Sequence, residues 1–300
     1  MEKRGCTLRS AQYMEQPVWS NIRALYKGMG YSDYDLERPM IGIANSWNTA
    51  NPGHYNLNDV ADAVKQGILQ AGGTPVTFGV IGPCDGMGCG NDGMRYILPS
   101  RGQIADSVQT MVQVNHLDAV VLLGSCDKVI PGLLMAAARL DIPAIIVNGG
   151  PSLPGRMFDG RLSDNSSMTE ALSMLKDGKI SEAEYYDLEN RSSPCCGSCS
   201  FLGTANTMCA IAEAMGMILP GTSMIPAVYA ERIRAAAASG RRIVEMVREN
   251  LTARKIINAS GLRNAARLGM AIGGSTNMAL HLPAIAYEAE CPFDMDELVK

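Results

Sequence analysis

Residues 119–147 read AVVLLGSCDKVIPGLLMAAARLDIPAIIV, and this stretch decides the fold class. It begins and ends with short apolar runs, Ala119–Leu123 and Ala144–Val147, and the segment Gly132–Arg139 between them has helical spacing. The order strand, helix, strand is typical of a parallel strand pair joined by a crossover helix. Strands that are apolar throughout indicate a sheet covered by helices on both faces.

The same rhythm is present toward the N-terminus. Apolar runs at Met40–Ala44 and Val76–Ile81 predict two further strands. Helical spacing at Leu57–Gln70 and Gly102–Asn115 predicts the helices that connect them. We therefore expect a three-layer α/β/α fold with a mainly parallel sheet.

Beyond Gly150 the sequence becomes rich in Ala and Met at helical spacing. Predicted helical segments in this half are Ser167–Lys176, Ser181–Asn190, Ala205–Met217, Ile225–Asn250 and Asn264–Tyr287. This half is therefore expected to be mostly helical and to pack on the sheet. Methionine is a flexible filler of helix interfaces, which explains its abundance without invoking a binding surface.

Composition excludes several classes of protein. The net charge of −4 gives no electrostatic basis for binding nucleic acid or an anionic membrane. No apolar run approaches the roughly 20 residues that span a bilayer, and Met1–Cys6 lacks the apolar core of a signal peptide. We expect a cytoplasmic protein, in which the nine cysteines are not disulfide-bonded.

The cysteines fall into two groups. Cys209 lies in an apolar helical segment, and Cys6 and Cys291 lie near the ends without ligand-like neighbours, so these are expected to be ordinary packing residues. The others lie in segments dense in Gly, Pro, Ser or Asp; they are Cys84, Cys89, Cys126, Cys195, Cys196 and Cys199.

Chemically active residue types follow the predicted strands directly. Asn45-Ser46 follows the first strand, Cys84-Asp85 the second, Cys126-Asp127-Lys128 the third, and Asn148-Gly149-Gly150 the fourth. The carboxyl ends of parallel strands meet at one edge of the sheet, where ligands bind in such folds. These residues are therefore expected to converge.

A cysteine adjacent to an aspartate occurs twice among these loops. Thiolates are soft ligands and carboxylates are hard ligands, so the pairs indicate an iron–sulfur cluster beside Mg²⁺ held by Asp85 and Asp127. The plainer interpretation is a chance cysteine beside a surface ion pair. Lys128 either pairs with Asp127 or is carboxylated by CO₂ and becomes an anionic ligand.

Cys196-Gly197-Ser198-Cys199 has the C-x-x-C spacing of cluster and zinc sites. A redox dithiol and a structural zinc site are the alternatives. Zinc requires four compactly placed ligands, whereas a cluster accepts ligands from distant loops and fits the wide cysteine spacing better.

These segments, from about Arg38 to the C-terminus, resemble the dihydroxy-acid dehydratase and 6-phosphogluconate dehydratase family, and the dihydroxy-acid enzymes most closely. The matching runs are Pro83-Cys84-Asp85-Gly86, Gly93-Met94-Arg95-Tyr96, Leu98-Pro99-Ser100-Arg101, Ile104-Ala105-Asp106-Ser107, Cys126-Asp127-Lys128-Val129-Ile130-Pro131-Gly132, Asn148-Gly149-Gly150-Pro151, Cys196-Gly197-Ser198-Cys199, Thr204-Ala205-Asn206-Thr207-Met208 and Gly273-Gly274-Ser275-Thr276-Asn277.

The resemblance implies a set of site residues. It implies a cluster held by Cys126 and Cys199 with one iron open to substrate, and Mg²⁺ held by Asp85, Asp127 and a carboxylated Lys128. It also places Ser275, Thr276 and Asn277 near the substrate. Family members with a [2Fe–2S] cluster carry Pro-Cys where this chain has Pro52-Gly53-His54. A [4Fe–4S] cluster is therefore favoured, with Cys84 as its third ligand and Cys196 as the alternative.

The resemblance also implies the reaction: dehydration of a 2,3-dihydroxy carboxylic acid to a 2-keto acid, as in branched-chain amino acid biosynthesis. A sugar-acid dehydratase is the alternative enzyme, and a redox-sensing cluster protein is a remote third. Family members are about twice as long, and their C-terminal β-barrel-like domain carries the serine taken as the base. Residues 1–300 are thus expected to form the N-terminal metal-binding domain. Activity would then need a C-terminal partner or a homo-oligomer.

Within the chain, the three histidines are the local candidates for a base. His116, before a strand, and His281, in an apolar helix, are interpreted as structural residues. His54 lies in a motif loop and is the first of the three to test.

Overall fold

The computed structural model describes residues 8–299, so Cys6 and Lys300 lie outside the described part of the chain. Its main sheet has four parallel strands in the order β2-β1-β3-β4. Their bounds are β1 Met40–Asn45, β2 Thr74–Gly79, β3 Ala119–Leu123 and β4 Ala144–Val147. A short antiparallel ribbon is formed by β5 Met157–Phe158 and β6 Arg161–Leu162.

Helices occupy most of the remaining chain. They are α1 Ala11–Glu15, α2 Ser20–Gly28, α3 Asp33–Leu36, α4 Leu57–Ala71, α5 Asp85–Gly88, α6 Ile97–Val114, α7 Val129–Leu140, α8 Ser167–Lys176, α9 Glu182–Arg191, α10 Thr204–Met215, α11 Ala230–Glu249, α12 Ala253–Ile256, α13 Ala259–Ala271, α14 Met278–Glu288 and α15 Met295–Val299. Short 3₁₀ turns lie at Pro17–Trp19, Pro52–His54 and Asp92–Tyr96. In residues 8–299, no helix is long and apolar enough to cross a membrane.

The sheet is covered on both faces, as the apolar strands predict. Along β3, Val121 points into a core shared with α4 and α11, while Val120 and Leu122 point into the opposite core. That second core is formed mainly with α6, α7, α10, α13 and α14. The three-layer α/β/α prediction is confirmed.

One predicted strand is displaced. The edge strand β2 begins and ends two residues before the predicted Val76–Ile81. The difference arises because Pro75 interrupts the apolar run. An edge strand tolerates proline, whose missing N–H costs no ladder hydrogen bond when that side of the strand is unpaired. Val80 and Ile81 therefore belong to the loop that leads to Cys84.

Two predicted helices of the second half are also corrected. Ile225–Asn250 becomes α11, which starts only at Ala230. Asn264–Tyr287 is two helices, α13 and α14, with a turn between them. Gly273 adopts a left-handed backbone (φ 64°) there, a conformation that ends a helix. Ser275 and Asn277 therefore lie in a turn and not on the surface of a helix.

Helices α4 and α11 pack unusually closely. A Cβ atom on Gly67 would lie 2.1 Å from the carbonyl oxygen of Ala237, and one on Gly240 would lie 2.2 Å from that of Val64. Only glycine allows the two backbones this approach. The pair fixes the layer that covers one face of the sheet.

Candidate functional site

Strands β1–β4 end at one edge of the sheet, so the predicted convergence of the motif loops is observed. Cys126-Asp127-Lys128 connects β3 to α7, and the carbonyl of Cys126 accepts hydrogen bonds from the N–H groups of Val129 and Ile130. The first turn of α7 therefore starts on the motif itself, which fixes the backbone that carries these side chains.

His54 connects two of the strand-end loops. Its ring is fully buried: Nδ1 lies 2.9 Å from the carbonyl oxygen of Ser46, and Nε2 lies 3.1 Å from the backbone N of Ser125. The backbone N–H must donate, so Nε2 accepts and Nδ1–H donates to Ser46. Burial lowers the pKa of His54 to about 4. With both nitrogens engaged, neither is free to take a proton from a ligand.

The other two histidines also lie in structural positions. His116 has a left-handed backbone (φ 49°) and stacks on Tyr13 with ring centroids 3.7 Å apart. His281 is fully buried in the first turn of α14, as its apolar surroundings predict.

Cys126 lies at the centre of a tight group of contacts. Its Sγ is buried and donates to Oδ1 of Asn51 at 3.2 Å. The Asn51 side chain is fixed in turn, because Oδ1 accepts from the N–H of Gly53 at 2.9 Å and Nδ2 donates to the carbonyl of Gly82 at 3.0 Å. A Cβ on Gly53 would lie 2.9 Å from this sulfur, so glycine leaves room for it.

The three thiols predicted as cluster ligands, on Cys84, Cys126 and Cys199, lie close enough to shift one another's pKa values. The interaction between Cys84 and Cys126 lowers the pKa of Cys84 and raises that of the more deeply buried Cys126. Burial, followed by the charges of Asp127, Cys84 and Asp85, raises the pKa of Cys199 to about 12. Cys84 and Cys199 also line a cavity of about 360 Å³.

Cys195 and Cys196 interact with other residues than these three thiols do. The Sγ of Cys195 accepts from the N–H of Leu153 at 3.3 Å and lies 3.5 Å from the hydroxyl of Ser152. Burial, followed by the charges of Cys195 and of Asp59 on α4, raises the pKa of Cys196. Cys126 is not among the causes of this shift. Of the two candidates for a third thiol ligand, Cys84 is the one that contacts Cys126.

Asp85 and Asp127 are brought together as a carboxyl pair. Burial, and then the hydrogen bond and charge of Asp85, raise the pKa of Asp127 to about 7, against the opposing effect of Lys128. The ammonium of Lys128 lies 3.9 Å from Oδ2 of Asp127, which is too long for a strong hydrogen bond. A buried carboxyl, on Asp127, and a half-buried one, on Asp85, that repel one another provide a hard-oxygen site that a divalent cation would stabilise.

Thr204, at the start of α10, connects this carboxyl pair to the predicted substrate segment. Its hydroxyl lies 2.8 Å from the hydroxyl of Ser275 and accepts from Nδ2 of Asn277 at 2.8 Å. Thr204 also acts to lower the pKa of Asp127, against the stronger effect of burial. Ser275 and Asn277 are therefore brought to the site. Thr276, between them, is exposed.

The donor chemistry fits a soft-metal cluster beside a hard cation, but the donors are not arranged as a finished site. Within residues 8–299, no group of three or more His, Cys, Asp or Glu side chains is arranged to hold one metal ion. The raised pKa values of Cys126 and Asp127 favour their protonated forms, and both side chains would have to lose their protons before binding metal.

Sequence reasoning missed Asn51 and Thr204 as site residues. Thr204 lay within a recognised motif, and a threonine opening a helix beside that motif was a usable signal. For Asn51, the available signal was only its place before the Pro52-Gly53-His54 turn.

The sequence matches a known protein family over most of its length. Residues 38–300 match the family model described as dihydroxy-acid/6-phosphogluconate dehydratase N-terminal. A protein of Caldanaerobacter subterraneus subsp. tengcongensis named dihydroxy-acid dehydratase is 51% identical over 276 residues, which cover 92% of this chain and 50% of that protein. One of the same name from Pyrococcus furiosus is 50% identical over 275 residues, with the same coverage.

The chain spans about half the length of these relatives. A shorter relative from Clostridium pasteurianum, also named dihydroxy-acid dehydratase, is 49% identical over 272 residues, which cover 91% of this chain and 95% of that protein. At these identities, the chain belongs to the dihydroxy-acid/6-phosphogluconate dehydratase family.

Proposed function

We propose that this chain is the metal-binding half of a dehydratase that converts 2,3-dihydroxy carboxylic acids to 2-keto acids in branched-chain amino acid biosynthesis. Cys84, Cys126 and Cys199 would hold a [4Fe–4S] cluster. Asp85, Asp127 and a carboxylated Lys128 would hold Mg²⁺. The observation that carries the proposal is the pairing of the thiols Cys84 and Cys126 beside the carboxyls Asp85 and Asp127.

Both metal centres, when bound, would supply Lewis acidity: the cation at the substrate carboxylate and 2-hydroxyl, the open iron at the 3-hydroxyl. In the reaction the C2 proton is removed, the C3–oxygen bond breaks, and water leaves. The resulting enol then tautomerises to the ketone. No net oxidation or reduction occurs.

The chain's own residues would orient the substrate. Ser275 and Asn277 hydrogen-bond Thr204, which contacts Asp127, so a substrate near the cation would meet hydroxyl and amide groups of fixed orientation. Both ring nitrogens of His54 are hydrogen-bonded, and His281 is fully buried. His116 precedes β3, at the opposite end of the strands from the site. We therefore assign the base to a C-terminal partner domain or subunit.

The metal assignment is tested by anaerobic reconstitution with iron, sulfide and Mg²⁺. Cys84→Ser, Cys126→Ser and Cys199→Ser should each lose the brown absorbance and most bound iron. Cys89→Ser is the matched control because Cys89 is exposed in the same loop as Cys84. Full iron content in the three variants would remove the cluster assignment.

The reaction is tested with the loaded chain and 2,3-dihydroxyisovalerate. We expect keto acid to form only after the C-terminal half of a relative is added, and little from a sugar acid such as gluconate. Preferential turnover of the sugar acid would support the alternative dehydratase. Sustained turnover by the chain alone, at about 1–10³ s⁻¹, would place the base within it.

A further inference from the structure

The imidazole of His281 has a buried donor without a partner. The side chain is fully buried, and Nδ1 lies 3.0 Å from Nη1 of Arg101. A guanidinium can only donate, so Nδ1 accepts and the ring proton is on Nε2. Among residues 8–299, Nε2 has no hydrogen-bond partner. A buried donor left unpaired costs about 1–3 kcal/mol, so an acceptor at this point would be stabilising.

A second unsatisfied donor lies nearby, on Lys128. Its side chain is only 11% exposed, and its nearest carboxylate oxygen, on Asp127, is 3.9 Å away. Within the described part of the chain, Nζ makes no hydrogen bond. An ammonium so far removed from water normally has close acceptors.

The two donors belong to the same corner of the fold. Arg101 lies in the first turns of α6 and also donates to the carbonyl of Leu280 on α14 at 3.3 Å. A Cβ on Gly132, one turn after Lys128, would lie 2.8 Å from the carbonyl oxygen of Arg101. The beginnings of α6, α7 and α14 therefore meet. Burial, followed by the charges of Arg101 and Lys128, lowers the pKa of His281, so both cations lie near its ring. This corner holds three donor groups, two of them cationic.

We propose that His281 is a positioning residue for Lys128, donating its Nε2–H to the carboxylate of a carboxylated Lys128. The inference rests on the proposed function, which assigns that modification. In the covalent step, the ammonium first loses one proton to solvent, and the neutral amine nitrogen then attacks the carbon of CO₂ and forms an N–C bond. One C=O π pair moves onto oxygen, and one N–H proton leaves to solvent.

Carboxylation of Lys128 removes both unpaired donors at once, the Nε2–H of His281 and the ammonium of Lys128. It replaces a cation with an anion, which removes the repulsion of Lys128 by Arg101 and places a negative charge near the ring of His281. It also supplies two acceptor oxygens, one for the Nε2–H of His281 and one that remains for a cation beside Asp127. Both terms stabilise the modified lysine relative to the free amine.

Two substitutions separate the role of Nε2 from that of Nδ1. Asparagine places its amide near the Nδ1 position, so His281→Asn can keep an acceptor for Arg101 but loses the distal donor. Glutamine reaches the Nε2 position, so His281→Gln can restore that donor. His116→Asn is the control at a histidine far from this corner, stacked on Tyr13.

The experiment equilibrates the full chain with Mg²⁺ and ¹³C-bicarbonate and measures the carbamate signal by ¹³C NMR. Loss of the signal in Lys128→Arg assigns it. We expect His281→Asn to reduce the signal at least tenfold, and His281→Gln and His116→Asn to retain it. Equal signals in His281→Asn and wild type would overturn the inference. No signal in wild type would overturn the assignment of a carboxylated Lys128 itself.

A second measurement, made on wild type, tests the proposal even if the His281→Asn variant fails to fold. In ¹⁵N-histidine-labelled wild type, which contains three histidines, the Nε2–H proton of His281 should move downfield when Mg²⁺ and bicarbonate are added. An unchanged resonance in protein that carries the carbamate would show that Nε2 donates elsewhere, for example to a buried water, and would refute the proposal.

Discussion

The Nε2 atom of His54 accepts a hydrogen bond from the backbone N–H of Ser125 across 71 positions of sequence. Since Nδ1–H donates to the carbonyl of Ser46, one neutral ring joins the ends of β1 and β3 directly behind the Cys126 motif. His54 therefore shapes the loops that carry the candidate site, although its place in a motif loop first suggested a base.

This role predicts a specific dependence of stability on pH. The pKa of His54 falls from 6.5 to about 4 on folding, so the unfolded chain binds the proton more tightly. The stabilisation is fully present above pH 6.5 and is lost as the pH falls toward 4. The shift of 6.5 − 4 = 2.5 pK units corresponds to about 3 kcal/mol.

Urea unfolding of the metal-free chain between pH 8 and pH 4 measures this term. His54→Gln should be less stable than wild type at pH 8, and the gap should narrow as the pH falls. Other groups that titrate in this range contribute equally to both proteins, so the difference isolates His54. A gap that stays constant down to pH 4 would contradict the assigned protonation state.

The close approach of α4 and α11 gives a prediction on stability alone. Gly240→Ala should destabilise the chain by about 1–3 kcal/mol or more, because the added methyl group meets a backbone carbonyl that cannot move independently. Gly102→Ala is the matched control, since Gly102 lies inside α6 with nothing within 4 Å of its added Cβ. That change should be neutral or stabilising by about 0.5–1 kcal/mol. Thermal unfolding of both variants tests the difference.

The carboxyl pair gives a prediction on magnesium. Asp127→Asn removes one charge from the pair, so Mg²⁺ affinity should fall by roughly tenfold or more, about 1.4 kcal/mol. Bound iron should be retained. Asp92→Asn is the control, because Asp92 is an exposed aspartate of the neighbouring segment. Titration calorimetry with Mg²⁺ checks both, and wild-type affinity in Asp127→Asn would remove Asp127 from the assignment.

The layers of the fold were predictable because the information is local. β3 and β4 have the bounds that their apolar runs predict, and helix α8 matches its predicted segment. The strand order then places Cys84, Asp85, Cys126 and Asp127 at one edge. The bounds of these elements depend on neighbours a few positions away along the chain, whereas the strand order depends on distant pairs such as Ile41 with Ala119.

What could not be predicted depends on contacts between distant segments. The two hydrogen bonds of His54 need Ser46 and Ser125, which lie in loops that follow two different strands. The hydroxyl of Thr204 meets Ser275 across 71 positions, after a turn at Gly273 that periodicity does not reveal. Such roles appear only once packing has fixed the relative position of the loops.

Gly53 gives the sharpest test of the thiol group. Its added Cβ would lie 2.9 Å from Sγ of Cys126, closer than real Cβ atoms approach a neighbour, and 3.3 Å from Oδ1 of Asn51, which is a tight contact. Asn51 is held by two backbone hydrogen bonds and cannot easily yield. The sulfur of Cys126 must therefore rotate away, which would remove it from Cys84.

Gly53→Ala should consequently lose most cluster iron on anaerobic reconstitution while the fold is retained. Gly86→Ala is the matched control: it also adds a methyl group beside a thiol, but at 3.5 Å from Sγ of Cys84, an ordinary contact. Iron and sulfide analysis, with circular dichroism to verify folding, compares the two. Equal iron content in both variants would mean that Cys126 does not need its present position to hold the cluster. Loss in Gly53→Ala alone would show that the smallest residue stands at position 53 because a metal-bound sulfur requires that space.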